Sequence, residues 1–230
     1  MLPVFGLHAR SAVAQGAPAA AKPGLSAPAL LARVKAKLDR VQDYTADARL
    51  RLDVSFLKVP ESEVTVYYKS PDKLRVHQSQ GISILPKGGI GVSLSALLAG
   101  SNYSIIDAGL DAGLRVVKLV PLAATPGGIV LTTLYIDPGV SLIRKMVATT
   151  ADNGTYEMDL EYGRYADWAL PDRVVFVFST NGFALPKGVT LEYDPSNSGT
   201  QPTAHPTQGK VYLTYERYRI NQGLPADAFK

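Results

Sequence analysis

The sequence predicts a mainly β protein with a little α-helix, built on a strongly curved antiparallel sheet whose apolar face is covered by helical segments. The first observation is the stretch Tyr44–Phe56. Its even positions Tyr44, Ala46, Ala48, Leu50, Leu52, Val54 and Phe56 are apolar, and its odd positions Thr45, Asp47, Arg49, Arg51, Asp53 and Ser55 are polar. Side chains alternate across a strand, so this is one long strand with an apolar and a charged face. At about 3.3 Å per residue it would span roughly 40 Å, and a strand of that length has to curve with the twist of its sheet. The second observation is that alternating runs, separated by strong turn signals, fill most of the remaining chain. The third is that helical spacing is confined to two short segments.

Residues 1–25 differ in kind from the rest. Met1–Leu7 is short and apolar, and Ala12-Val13-Ala14 before Gln15 resembles the small-x-small site of a secretory signal peptide, without the usual basic start or full apolar core. The expectation is the remnant of an export signal, with the mature chain beginning at or shortly after Gln15. A disordered arm of Ala, Pro and Gly is compatible with that reading. Residues 26–230 are expected to form a single domain. Ser26 caps a helix that tolerates Pro28 in its first turn. Leu30, Leu31, Val34, Leu38 and Val41 make its apolar stripe, with Arg33, Lys35, Lys37 and Arg40 elsewhere around it. The stripe suits the apolar face of the following strand, so packing on the sheet is expected rather than a membrane surface.

After a turn at Pro60-Glu61, Val64, Val66 and Tyr68 alternate with Glu63, Thr65, Tyr67 and Lys69. Pro71-Asp72 then turns the chain into Leu74 and Val76 and their polar partners Arg75 and His77. Together with the first strand this predicts an antiparallel meander with one apolar, concave face. Ile82–Leu85 precedes a loop with Pro86, Gly88, Gly89 and Gly91, which lacks the Lys-Ser/Thr pair of a phosphate cradle. Ser93–Gly100 reads as a second helix, capped by Ser93, ended by Gly100 and carrying Leu94, Leu97 and Leu98 on one face. A helix that short needs an apolar support. Glycine-rich or polar joints at 88–91 and 100–102 would let it move as a hinged lid.

Strands are next expected at Tyr103–Asp107, Leu114–Val120, Ile129–Ile136, Leu142–Thr149, Thr155–Tyr165 and Arg173–Ser179. Asp137-Pro138-Gly139 and Asp152-Asn153-Gly154 supply hairpin turns, since Gly and Asn accept positive φ. Tyr156, Met158, Leu160 and Tyr162 alternate with Thr155, Glu157, Asp159 and Glu161 as in the first strand. Residues 185–209, rich in Pro, Ser, Thr, Gly and Asn, read as a long exposed loop. Lys210–Ile220 is the last strand, rich in Tyr, and Asn221–Lys230 a short tail.

Composition narrows the function. A chain of 230 residues, 46% of them apolar, can bury one sizeable core. The net charge of +4 is mild and its Lys and Arg are dispersed, so a nucleic-acid surface is not expected. The absence of cysteine excludes disulfides, thiolate zinc sites and thiol nucleophiles. No stretch approaches the roughly 20 apolar residues of a spanning helix. His8, His77 and His205 have no neighbour at ligand spacing, so no metal is expected. Asp47, Asp53, Glu61, Glu63, Glu157, Asp159 and Glu161 alternate with apolar residues in the manner of a solvated strand face, not of a catalytic pair. There is no Gly-x-Ser-x-Gly, and neither enzymatic activity nor a cofactor is expected.

The order of parts resembles the LolA-like carriers and sorting proteins of outer-membrane lipoproteins. The resemblance runs through the amphipathic helix, the Tyr44–Phe56 strand, Val66-Tyr67-Tyr68-Lys69-Ser70-Pro71-Asp72-Lys73-Leu74-Arg75, the leucine helix and Asn102-Tyr103-Ser104-Ile105. It continues through Leu114–Pro121, Val130–Asp137, Ile143–Ala148, the Asp152-Asn153-Gly154 turn and the ending Asn221–Phe229. Each motif is weak alone; their colinear order from about Ala29 onward carries the likeness.

The resemblance implies an incompletely closed β-barrel capped by helices, whose apolar hollow takes up lipoprotein acyl chains in the periplasm. It further implies passage from an inner-membrane donor to an outer-membrane acceptor, by a protein expected to be monomeric. The chain departs from the well-known carriers where their lid-latching arginine is matched by Ser70, with Lys69 and Arg75 as the neighbouring substitutes. It also carries a longer block over 166–209.

The residues expected to line the hollow are Leu50, Leu52, Val54, Phe56, Val64, Val66, Tyr68, Leu74, Val76, Tyr156, Met158 and Leu160, under a lid of Leu94, Leu97 and Leu98. A lipoprotein- or stress-sensing regulator on the same scaffold is the nearest alternative. A small outer-membrane barrel would share the alternating strands, but not the leucine-striped helices.

Overall fold

The computed structural model describes residues 25–54, 57–58, 60–78, 94–99, 102–123, 128–152, 154–179 and 208–229. Helix α1, Ala27–Leu38, starts where its cap requires: Ser26 is extended and its Oγ accepts from the Ala29 amide at 3.4 Å. Its buried face includes Leu30, Leu31, Val34 and Leu38 of the stripe read from the sequence, while Val41, the last member of that stripe, is buried beyond the end of the helix. Strands β1 (Asp43–Val54), β2 (Leu57–Lys58), β3 (Ser62–Lys69) and β4 (Lys73–Gln78) follow, then the short helix α2 (Leu94–Ala99). Next come β5 (Tyr103–Asp111), β6 (Leu114–Pro121), β7 (Ile129–Asp137), β8 (Leu142–Thr150) and β9 (Thr155–Glu161). A 3-10 turn at Ala166–Trp168 leads to β10 (Arg173–Ser179) and β11 (Gln208–Ile220).

The strands form one antiparallel sheet of 11 strands in the order β4-β3-β1-β11-β10-β9-β8-β7-β6-β5, with β2 paired to β1 alone. Among the described residues nothing pairs β4 with β5, so the sheet stays open. The central seam joins the first and last long strands, β1 and β11. Register puts Tyr44, Ala46 and Ala48 opposite Tyr68, Val66 and Val64, and Leu50 and Leu52 opposite Leu213 and Val211, so these side chains share one face. On β11 a bulge changes the parity: Asp47 pairs with Arg217 but Ala48 with Tyr215. The buried positions therefore pass from Val211 and Tyr215 to Tyr218 within one strand.

The opposite face is charged and carries ion pairs. Arg219 makes two hydrogen bonds of 3.0 Å with Asp47, Lys145 reaches Glu157 at 2.6 Å and Arg49 reaches Glu216 at 2.8 Å. Such exposed pairs contribute about 0–1 kcal/mol each; the buried face carries the stability.

Several boundaries differ from expectation. The first strand ends at Val54, and Phe56 lies outside the described residues, as do Ile82–Leu85, the Gly88–Gly91 loop, both flanks of α2 and most of 185–209. Gln208 and Gly209 belong to β11 rather than to a loop. Strand β5 runs on past Asp107 to Asp111 because a bulge at Gly109, with φ of 85°, lets pairing resume at Leu110. Strand β9 stops at Glu161 instead of Tyr165. There the chain turns at Gly163, and the Asp172 carboxylate accepts the Arg164 amide at 3.0 Å, holding the turn that leads to Ala166–Trp168. In the β7–β8 hairpin the positive φ falls on Ser141, at 53°, while Asp137 Oδ1 accepts from the amides of Gly139 and Val140.

Candidate functional site

The buried face is divided. One cluster gathers α1, Leu98 of α2 and the inward residues of β6–β10, among them Val117, Leu134, Ile136, Met146, Met158 and Phe176. The other gathers Val41, Tyr44, Ala46, Ala48, Val64, Val66, Tyr68, Leu170, Tyr215 and Tyr218. Leu50 and Val174 touch both. The expected single interior is thus two packed cores. They separate because β1 sets small residues, Ala46 and Ala48, beneath a knot of tyrosines, while the other half is filled by long aliphatic side chains.

A hollow of about 190 Å³ lies along that seam, and its wall comes from both clusters. The end of α1 and the following turn contribute Leu38 and Val41, and β1 contributes Tyr44 and Leu50. Tyr68, Leu74 and Val76 come from β3 and β4, and Leu94 and Ser95 from α2. The far wall is Met158, Leu160, Val174 and Phe176 on β9 and β10, with Val211, Leu213 and Tyr215 on β11. Ala169, Leu170 and Pro171, just after the 3-10 turn, complete it.

This turn is pinned by Arg40, whose guanidinium donates to the Asp167 carbonyl at 3.0 Å and lies 4.6 Å from the Trp168 ring centroid. Helix α2 rests on α1, with Leu98 almost fully buried and Leu94 and Leu97 half-buried. The volume exceeds the ~150 Å³ engineered cavity that admits benzene and falls below the roughly 300–1,000 Å³ of drug-sized ligand sites.

Of the residues expected from the sequence, Leu50, Tyr68, Leu74, Val76, Met158 and Leu160 line the hollow, and Leu94 covers it. Leu52, Val54 and Tyr156 pack in the larger cluster, Val64 and Val66 in the smaller, and none of these borders the space. Leu97 and Leu98 lie in the contact with the larger cluster rather than on the hollow. The sequence reading missed Tyr44 and the whole β10–β11 wall. Those positions carried a signal, since Val174, Phe176, Val211 and Leu213 sit at alternate positions, but the buried-looking run Arg173–Ser179 hid which parity faces in.

Among the described residues no charged side chain borders the hollow. Its polar groups are the hydroxyls of Tyr44, Tyr68, Tyr215 and Ser95. Tyr44 stacks on Tyr68 at 5.1 Å and meets Tyr218 edge-on at 5.1 Å, and Tyr215 stacks on Tyr218 at 4.8 Å. Burial holds the phenols of Tyr44, Tyr215 and Tyr218 in the neutral form. It raises Tyr44 and Tyr218 well above the ordinary value, and Tyr215 to about 12. Among the described residues no group of three or more His, Cys, Asp or Glu could hold a metal ion, and no helix is long and apolar enough to cross a membrane.

An open antiparallel sheet with helices on its apolar face defines a class of half-barrel proteins. This chain has that architecture, the open, helix-covered half-barrel that the sequence resemblance implied. Among solved structures it is similar to a DUF1329 family protein from Desulfovibrio piger ATCC 29098, at 10% identity over 87% of this chain and 94% of that one, with a TM-score of 0.50. It is also similar to a LolA superfamily protein from Nitrosomonas europaea, at 11% identity over 87% and 97%, with a TM-score of 0.48. At such identities the likeness concerns the fold alone. No known protein family and no curated protein matches the sequence.

Proposed function

We propose that the protein is a non-enzymatic carrier of acyl chains, acting in the periplasm on lipoproteins or similar lipid-like ligands and moving them toward the outer membrane. The observation that supports this is the hollow at the seam of the two cores, whose described wall carries no charged side chain and which is bordered by a helix of six residues. A six-residue helix is too short to hold its own structure, so α2 is stable only while it rests on its apolar support. An acyl chain gains about 0.8 kcal/mol for each methylene it buries, and can take over the surface that α2 covers. In this reading Leu50, Tyr68, Leu74, Val76, Met158 and Leu160 contact the chain, and Leu94, Leu97 and Leu98 form the lid.

Native mass spectrometry of the protein purified from an envelope fraction tests the proposal. A bound mass that matches an acylated species is expected. A protein that carries no lipid there, and does not take up a fluorescent acyl probe, sinks it.

A further inference from the structure

Apart from Ser95 on α2, the polar side chains of the hollow's described wall gather at one place. Tyr44 and Tyr68 stack there, Tyr215 lies beside them, and all three side chains border the space. Tyr44, Tyr215 and Tyr218 form a chain of neighbouring phenols: Tyr44 and Tyr215 interact electrostatically, Tyr215 stacks on Tyr218 at 4.8 Å, and Tyr218 donates to the Pro171 carbonyl at 2.8 Å. A phenol offers one proton and two lone pairs, so this chain retains accepting capacity at its hollow-facing members. Tyr68 donates to the Pro71 carbonyl at 3.4 Å, long for an O–H···O bond, and its proton can be turned onto a better acceptor at small cost.

We propose that the hydroxyls of Tyr68, Tyr44 and Tyr215 are the polar anchor of the hollow and select a ligand whose buried end is neutral and hydrogen-bonding. An acyl ester, amide or alcohol fits; a free fatty-acid carboxylate does not. This deepens the carrier reading and rests on it. The selection follows from what the wall lacks. A carboxylate brought in would lose its water with no cation beside it among the described wall residues, a cost that a few neutral hydroxyls cannot repay. An ester carbonyl meets a phenol proton, and an alcohol meets phenol lone pairs, while the chain beyond lies among Leu50, Val174 and Leu213. An acyl group linked as an ester or amide is therefore the form of fatty acid this site takes.

Titration calorimetry at pH 8 with hexane, methyl octanoate, 1-octanol and sodium octanoate tests it. The wild type should bind methyl octanoate and octanol about tenfold more tightly than octanoate, and Tyr68→Phe should weaken methyl octanoate by roughly threefold to tenfold. Tyr215→Phe should do the same to octanol, and hexane affinity and melting temperature should stay near the parent's in both variants. Equal affinity for ester and carboxylate, or variants that bind every probe like the parent, overturns the anchor while leaving an apolar carrier standing. A protein that binds none of the probes, hexane included, overturns the carrier reading and the anchor together. Should Tyr215→Phe fail to fold, Tyr44→Phe with octanol gives the same readout.

Discussion

Replacing Val174 by Phe asks whether the hollow is usable space. Val174 sits on β10 opposite Leu160 and Leu213, touches both clusters and borders the hollow. Phe has four more side-chain carbons than Val. At about 0.8 kcal/mol per buried carbon, full accommodation would gain at most ~3 kcal/mol, of which side-chain ordering and wall adjustment take a large part. The expected net change lies between zero and about +1 kcal/mol. In a close-packed core the same substitution costs about 1–3 kcal/mol. For a chain of this size 1 kcal/mol moves the melting temperature by roughly 2–4 °C, so the two cases differ in sign and are resolved by calorimetry. The ring also occupies the place of the ligand, and affinity for a fluorescent acyl probe should fall at least about tenfold. A variant that melts several degrees lower yet binds the probe like the parent would refute the reasoning, because the space would then be neither empty nor the binding site.

The other perturbations act on the walls. Leu97→Ser with Leu98→Ser should leave the sheet folded by circular dichroism but shift acyl-probe binding, since these side chains hold α2 to the larger cluster; global unfolding of the double variant, together with a parent that never binds probe, would make α2 plain core. Arg40→Ala removes the bond to the Asp167 carbonyl and the stacking on Trp168, and should cost about 1–2 kcal/mol in urea unfolding, with Arg40→Lys recovering part of it. Alkaline stability should fall in a window set by the buried phenols. The folded-state pKa values are raised, so this contribution is intact below the unfolded tyrosine value near 10 and is lost as pH rises toward the folded value, about 12 for Tyr215. Tyr215→Phe should flatten that fall in a pH series of melting temperatures, and an unchanged slope would remove Tyr215 as its source.

How much of this was legible depends on where burial follows local pattern. Strand β1 could be read residue by residue because one face is solvated and every second side chain is charged or polar. Strand β10, Arg-Val-Val-Phe-Val-Phe-Ser, could be bounded but not oriented, since apolar residues stand on both parities and only pairing with Met158, Leu160, Val211 and Leu213 decides which face is inward. Strand β11 was harder still. The bulge opposite Asp47 shifts the inward set by one, and no local signal announces it. The hollow itself is a property of distant pieces: Tyr44 and Tyr215 are brought together by the β1–β11 seam, and Ala169–Pro171 by an arginine on the far side of the chain. Strand parity could nominate Leu50 and Leu160. It could not separate them from Leu52 or Val66, which share their faces and lie in packed core instead.

The size of the hollow and the smallness of α2 are two sides of one arrangement. On the proposed carrier reading, a space of about 190 Å³ would receive only the end of an acyl chain, and further methylenes would need surface that α2 now covers. Leu98, almost fully buried, is worth roughly 1.5–3 kcal/mol there, and Leu94 and Leu97 contribute smaller shares. At about 0.8 kcal/mol per methylene, the first four or so that enter beyond the hollow only offset the loss of Leu98, and net affinity accrues after that. A short chain would therefore fill the hollow under a closed helix, whereas a long one would lift it. Because a displaced helix would return its own apolar surface to the site as the chain leaves, release would cost less than the gross burial of the ligand. A carrier that has to give up its cargo needs affinity held in this range, and a deeper, preformed cavity without a competing helix would bind the same chain too tightly to pass it on.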